Sequence, residues 1–268
     1  MKKERIDVLL TQLGHFDSRE SAKRAVMAGL VLVNQERIDK PGEKVPIEST
    51  ITIKGNVCPY VSRGGFKLEK AIEKFHIELK DKTIIDIGSS TGGFTDCALQ
   101  NGAKRSYAVD VGYNQLAWKI RQDARVVVME RTNFRYMTPE NLEFGLPEFA
   151  CIDVSFISLK IILPVLKELL QKEGEVVALI KPQFEAGREQ VGKKGIVRDA
   201  KVHINVINEI TNFATVLGYS VLGLTYSPIK GGEGNIEFLV HLGYNEIMQT
   251  NVYENDIIQV VNDAHNQL

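Results

Sequence analysis

The chain has 268 residues, 33 Lys+Arg against 34 Asp+Glu, and 44% hydrophobic residues, enough for one large α/β domain and a small one around real apolar cores. Its three cysteines, Cys58, Cys97 and Cys151, form no close pair and no C-x-x-C, which speaks against a disulfide framework or structural zinc; no metal is expected, and a reducing, cytoplasmic setting fits. The basic N-terminus is interrupted by Glu4 and Asp7, no run reaches the ~18 apolar residues of a membrane span, and the net charge of −1 argues at first sight against a nucleic-acid partner.

In chain order, Ile6, Leu9, Leu10 and Leu13 recur at helical spacing and Gly14 supplies a stop. Asp17 or Ser18 caps a second helix to about residue 28, ended by Gly29. Residues 30–33 read as a strand before the turn Asn34-Gln35, Lys40-Pro41-Gly42 as a turn, and 49–53 as a second β segment. The result is a compact αα-β-β unit, followed by a linker-like stretch over 55–60. The predicted boundaries are 1–58 for this domain, 59–62 for the linker and 63–268 for the remainder.

After a helix near 65–75 the rhythm changes. Residues 83–87, 106–109, 126–129, 150–153 and 176–180 read as buried strands with helical patterns between them, which predicts an α/β, doubly wound, mostly parallel sheet. The strands at 219–226 and 236–242 are joined by a Pro/Gly-rich loop too short for a helix, so the two are expected to pair antiparallel at the edge of the sheet. Ile257, Ile258 and Val261 suggest a packing helix near the end.

Charge splits unevenly along this plan. Residues 1–80 hold 15 Lys+Arg and 11 Asp+Glu, a net of +4, whereas 81–268 hold 18 and 23, a net of −5. Arg19, Lys23 and Arg24 cluster near one helical face, a pattern that suits either a solvated surface or an RNA backbone.

The segment Asp86-Ile-Gly-Ser-Ser-Thr-Gly-Gly-Phe-Thr95 follows the first strand of the sheet and opens a helix, where an open α/β sheet binds its ligand. Its G-x-x-x-G-G spacing is neither the dinucleotide fingerprint nor a P-loop, and it has no lysine for a phosphate. Asp86 at the strand tip suits a cationic group such as the ammonium of a methionine moiety. Asp110, closing the next strand, suits a ribose diol. Together they favour S-adenosylmethionine, with Gly88, Ser89, Ser90, Thr91, Gly92, Gly93, Phe94 and Asp153 completing the expected cofactor contacts. Four more charged residues, Lys67, Asp153, Lys181 and Glu237, sit beside buried strands. Each alone reads equally well as a structural ion pair; four converging on one cleft read as a catalytic set. The segment 183–199, rich in glycine and basic residues, reads as either a flap over substrate or a surface insertion.

These residues carry a resemblance. Arg5-Ile-Asp7, Ser18-Arg19, Ala22, Gly29-Leu-Val-Leu-Val-Asn34 and Lys40-Pro41-Gly42 resemble the αL-type RNA-binding domain of small-subunit ribosomal protein S-four. Val61-Ser-Arg-Gly-Gly, the Asp86 loop, Asp153-Val-Ser-Phe156, Lys181-Pro-Gln-Phe184, Lys194-Gly-Ile-Val-Arg-Asp199 and Gly234-Asn-Ile-Glu-Phe238 are similar to the TlyA family, whose second domain is FtsJ-like. The resemblance implies a Rossmann-like methyltransferase domain behind a small α+β RNA-binding domain. It also implies a ribosomal RNA 2′-O-ribose methyltransferase using S-adenosylmethionine, with cytidine as the expected target. Its Lys-Asp-Lys-Glu tetrad falls on Lys67, Asp153, Lys181 and Glu237. Lys181 is the expected general base; Lys67 would lower its proton affinity while Asp153 and Glu237, expected to orient the lysines and the hydroxyl, would raise it, so the sign of the net shift stays open. Arg5, Ser18, Arg19, Lys23, Arg24 and Arg63 are the expected RNA contacts. Ribosomal RNA or ribosomal subunits are the expected partners, with no membrane and a monomer favoured. The family's other label, hemolysin, keeps a pore-forming cytolysin as the rival, and a non-catalytic RNA-binding protein is the second.

Overall fold

A computed structural model describes residues 2–16, 18–54, 58–245 and 250–268, and the chain divides into two compact units, Met1–Pro59 and Tyr60–Leu268. In the first, β1 (Lys3–Arg5) leads into α1 (Ile6–Gln12) and α2 (Arg19–Met27). Ser18 caps α2 by accepting a hydrogen bond from the Ser21 amide at 3.2 Å; Asp17, the other predicted cap, lies outside the described residues, as do 55–57 of the expected linker. Gly14 and Gly29 take φ of +73° and +69°, so both helices stop where a Cβ would be strained.

Strands β2 (Val31–Val33) and β3 (Glu36–Arg37) form a hairpin across Asn34 and Gln35, whose φ angles of +51° and +71° suit its right-handed twist. Strand β4 (Lys44–Pro46) pairs with β1, and β5 (Ile51–Ile53) with β2, all antiparallel. Ile6, Leu10, Ala22, Val26 and Val31 form the unit's fully buried core. The pairing of β1 with β4 was not expected, because three-residue strands are too short to show alternation.

The second unit opens with α3 (Gly65–Phe75) and then alternates: β6 (Thr83–Ile87), α4 (Gly93–Gln100), β7 (Arg105–Val109), the single turn α5 (Trp118–Arg121), β8 (Val126–Met129), β9 (Phe149–Ile152), α6 (Leu159–Leu169), β10 (Glu175–Ile180), the short α7 (Pro182–Glu185) and α8 (Ala200–Val216). It ends with β11 (Ser220–Tyr226), β12 (Phe238–Gly243) and α9 (Glu254–Gln267). Between β8 and β9 the expected helix is absent. Two 3₁₀ turns, Phe134–Tyr136 and Pro139–Asn141, replace it in a segment broken by Pro139, Gly145 and Pro147.

The seven strands lie in the order β11-β12-β10-β9-β6-β7-β8, parallel from β10 to β8, with β12 antiparallel to both of its neighbours. Ile84, Ile85, Phe149, Ala150, Val176 and Val177 are fully buried, as strands covered on both faces require. Helix α9 seals one face through Ile257, Val261 and Ala264, at i, i+4, i+7 spacing. The chain runs outward from β6 to β7 and β8 in one direction, and from β9 to β10 in the other. This reversal between β6 and β9 opens a crevice at the strands' carboxyl ends, which positions the site.

Candidate active site

Asp86 is the fourth residue of β6 and completely buried. Its Oδ2 accepts the Thr95 amide at 3.0 Å and the Thr95 hydroxyl at 2.7 Å, whereas Oδ1 is buried without a hydrogen-bond partner. Burial pushes the Asp86 carboxyl up to about 7, against the pull of the Thr95 groups. A buried acceptor left open at the tip of a central strand suits a cationic ligand group.

The loop after β6 is shaped for close approach. Gly88 has φ of +85°, and a Cβ there would overlap the Asp153 carbonyl oxygen; at Gly93 it would overlap Ser62 Oγ. Gly88, Ser89, Ser90 and Thr91 line a cleft of about 480 Å³, and Asp86, Gly93, Phe94 and Asp153 line it too. Gly92 and Asp110 are not on its wall. Gly92 turns the chain into α4 with φ of +94°. Asp110 holds the loop instead, accepting the Ser90 and Gly112 amides at 2.7 Å each.

The four expected catalytic side chains meet in the same cleft. Lys67 comes from α3, Asp153 from the residue after β9, Lys181 from the residue after β10, and Glu237 from the residue before β12. Lys67 Nζ lies 2.8 Å from Glu237 Oε2 and 3.2 Å from Asp153 Oδ2, and Lys181 Nζ lies 2.5 Å from Asp153 Oδ1. Burial alone would push the Lys67 ammonium down, but Asp153 and Glu237 outweigh it and hold Lys67 above its ordinary value. Burial likewise opposes ionised Asp153, and the two ammoniums override it, holding that carboxyl below the usual range. Lys67 is therefore enclosed by two carboxylates. Asp153 thus sits between the lysines and Glu237 beside Lys67, the opposing influence that the sequence left unsigned.

Several residues that sequence reasoning did not select complete the site. Ser155 Oγ accepts from Lys181 Nζ at 3.2 Å, and Gln183 Nε2 donates to Glu237 Oε1 at 3.3 Å. Phe156 is 89% exposed, holds φ of +63°, and tilts against Phe184 with ring centroids 4.8 Å apart. An exposed phenylalanine held at positive φ is a strained conformation that the surrounding contacts must impose. Arg63 and Lys230 add positive charge to the cleft wall.

In the first unit, two of the expected RNA contacts, Arg5 and Arg19, share one buried anion. Arg5 donates Nε and an η-nitrogen to the two oxygens of Asp7 at 3.0 Å each, and Arg19 donates to Asp7 Oδ2 at 3.0 Å. Lys23 pairs more loosely with Glu20 at 3.7 Å, Arg24 lies in the last turn of α2, and Ser18 is taken up in capping. Two guanidiniums around one carboxylate leave a net positive charge at the α1 and α2 surface.

Comparison with known proteins gives this geometry a class. Residues 60–244 match the model of the FtsJ-like methyltransferase, and residues 4–51 that of the S4 domain. The chain belongs to the TlyA family of S4-bearing, FtsJ-like methyltransferases. It is 62% identical over 269 residues to "Putative rRNA methyltransferase YqxC" of Bacillus subtilis (strain 168), covering 100% of this chain and 96% of that protein. It is 38% identical over 242 residues to the "16S/23S rRNA (cytidine-2'-O)-methyltransferase TlyA" of Mycobacterium tuberculosis (strain ATCC 25618 / H37Rv), covering 90% of each. A solved structure described as "Putative hemolysin from Streptococcus thermophilus" matches with a TM-score of 0.80 at 56% identity, over 100% of this chain and 97% of that one.

Proposed function

We propose that this enzyme transfers a methyl group from S-adenosylmethionine to the ribose 2′-hydroxyl of a nucleotide, a cytidine, in ribosomal RNA. The observation that carries the reading is the closure of Lys67, Asp153, Lys181 and Glu237 into one ion-paired cluster in the cleft that Asp86 and its glycine loop also line.

The open Oδ1 of Asp86 and the Gly88 and Gly93 cradle fit a methionine ammonium and its backbone-hugging chain. When bound, the cofactor supplies an activated methyl group on a sulfonium centre. The chain's own residues align the hydroxyl and take its proton. With the hydroxyl aligned toward the methyl group that a bound cofactor would supply, Lys181, after its ammonium has released a proton to solvent, would take the hydroxyl proton at Nζ. Asp153 and Ser155 hold Lys181 Nζ from two sides, and Glu237 and Asp153 fix Lys67 as a permanent cation beside the reacting oxygen. Phe156 offers an open ring face on which a nucleobase stacks. The first unit supplies backbone contacts through Arg5, Arg19, Lys23 and Arg24, and Arg63 supplies one at the cleft, with a monomer acting in the cytoplasm on RNA or assembled subunits.

Ribose methylation mapped across ribosomal RNA from cells with and without the gene tests the reading: one or a few 2′-O-methyl marks vanish on deletion and return with the wild-type gene. The name "Hemolysin A" of the 42%-identical relative from Brachyspira hyodysenteriae keeps a cytolysin in view. No helix among the described residues is long and apolar enough to cross a membrane. Leakage of liposomes by the purified protein without methyl donor would favour that reading.

A further inference from the structure

Two loops that are distant in sequence meet through one side chain. Asn235 is 3% exposed, in the loop between β11 and β12. Its Oδ1 accepts the Val197 amide at 3.1 Å, and its Nδ2 donates to the Gly195 carbonyl at 2.9 Å and the Gly232 carbonyl at 3.1 Å. The reversed amide would set a donor against the Val197 N–H and an acceptor against two carbonyls, so the hydrogen-bond network fixes its orientation. Its main chain closes the same loop, since the Asn235 carbonyl accepts from Gly231 N at 2.9 Å.

Each loop contains a non-glycine residue in the left-handed region, Lys194 with φ of +64° and Glu233 with φ of +55°. Such conformations persist only where surrounding contacts impose them. On one side the staple is anchored to the body of the domain: His203 on α8 binds the Val197 carbonyl through Nε2 at 3.1 Å. On the other it reaches the site. Gly231 and Gly232 line the catalytic cleft, and Gly231 lies so close to the Glu237 carboxylate that a Cβ there would overlap it. Glu237 follows Asn235 by two residues, and its carbonyl accepts from Ser227 N at 2.8 Å.

We infer that Asn235 is a positioning residue that fastens the 192–197 loop to the 229–235 loop, so that the two act as one roof pressing Glu237 onto Lys67. Of the two readings of segment 183–199, this makes its second half part of the active-site enclosure. The inference rests on the methyl-transfer reading for its kinetic part only. Loss of the staple frees Gly231 from Glu237 without touching the Asp86 loop. Alignment at the reacting oxygen then suffers, and cofactor capture does not.

The test pairs hydrogen exchange with kinetics on the full chain. In Asn235→Asp, which keeps the acceptor for Val197 and loses both donated bonds, exchange rises in 192–197 and 229–235 together. The kcat for methyl transfer falls about tenfold or more, and KM for S-adenosylmethionine stays within about threefold. Exchange rising in one loop alone, or an unchanged kcat, overturns the inference. A companion measurement needs no variant: in the wild-type protein the Val197 and Gly231 amides, both bound to Asn235 oxygens, show protection factors equal within about threefold, and a difference beyond about tenfold overturns it. If the wild type binds S-adenosylmethionine but methylates nothing, the proposed activity fails while the shared protection stands or falls on its own.

Discussion

Asp153 Oδ1 lies 2.5 Å from Lys181 Nζ while its Oδ2 holds Lys67, so a single carboxylate orients both lysines of the site. Asp153→Asn keeps the shape and removes the charge, leaving Lys67 with Glu237 as its one carboxylate and Lys181 with Ser155 but no carboxylate partner. Methyl transfer is expected to fall by at least about a hundredfold, and stability by about 3 kcal/mol, as when one partner of a buried ion pair is lost. Steady-state kinetics and denaturant unfolding measure the two effects. An activity within tenfold of wild type would remove Asp153 from the mechanism.

Gly88→Ala tests the cradle. With φ of +85° and the Asp153 carbonyl in the path of a Cβ, the substitution is expected to destabilise the protein by more than about 2 kcal/mol and to abolish cofactor binding. Thermal melting and calorimetry with S-adenosylmethionine decide it. A stable variant with wild-type affinity would show that the loop has slack.

Asp86 gives a pH dependence with a definite sign. Its carboxyl is raised by burial to about 7, so in the empty protein its contribution to stability is fully present below the ordinary carboxylate value and is lost as pH rises through about 7. A bound cation needs the ionised form. Affinity for S-adenosylmethionine should therefore strengthen between pH 5.5 and 7.5, and Asp86→Asn should lose both the slope and most of the affinity. A flat calorimetric profile in the wild type contradicts this assignment.

Asp7 has the opposite sign. The Arg5 guanidinium, aided by Arg19 and opposed by burial, holds its carboxyl at about 2. Its stabilising contribution is complete above the ordinary value near 4 and disappears as pH falls toward 2, which acid unfolding followed by hydrogen exchange in residues 2–54 would show. Lys23 is only loosely paired with Glu20, at 3.7 Å, so Lys23→Ala is expected to lower the salt slope of RNA binding by about one, without changing sequence preference.

The sequence is most legible where burial and charge collide. Asp153, Lys181 and Glu237 each adjoin a run of buried strand residues, and a charged group there needs a partner or a role, so their convergence could be anticipated. The alternation of strands and helices predicted the parallel sheet for the same reason: strands buried on both faces are apolar throughout. Ser155, Gln183 and Asn235 stand within the motifs that carry the resemblance, but the sequence assigned them no role. Their types are common in loops, and their partners lie 26 to 54 residues away, so only the folded chain brings them together. The helix expected between β8 and β9 failed because Pro139, Gly145 and Pro147 outweigh the surrounding apolar pattern. The pairing of Arg5 and Arg19 with Asp7 escaped notice because a cluster of cations read along a helix face does not show a buried anion beneath it.

The central claim is that Lys181 takes the proton from a ribose hydroxyl of ribosomal RNA. The most direct measurement is transfer of tritiated methyl from S-adenosylmethionine to purified ribosomal subunits by the wild-type protein and by Lys181→Ala, with cofactor binding checked by calorimetry. The account predicts label in alkali-resistant 2′-O-methylated dinucleotides for the wild type. For the variant it predicts no label above background, with cofactor affinity within about threefold of wild type. Turnover by Lys181→Ala at a rate near wild type would contradict it.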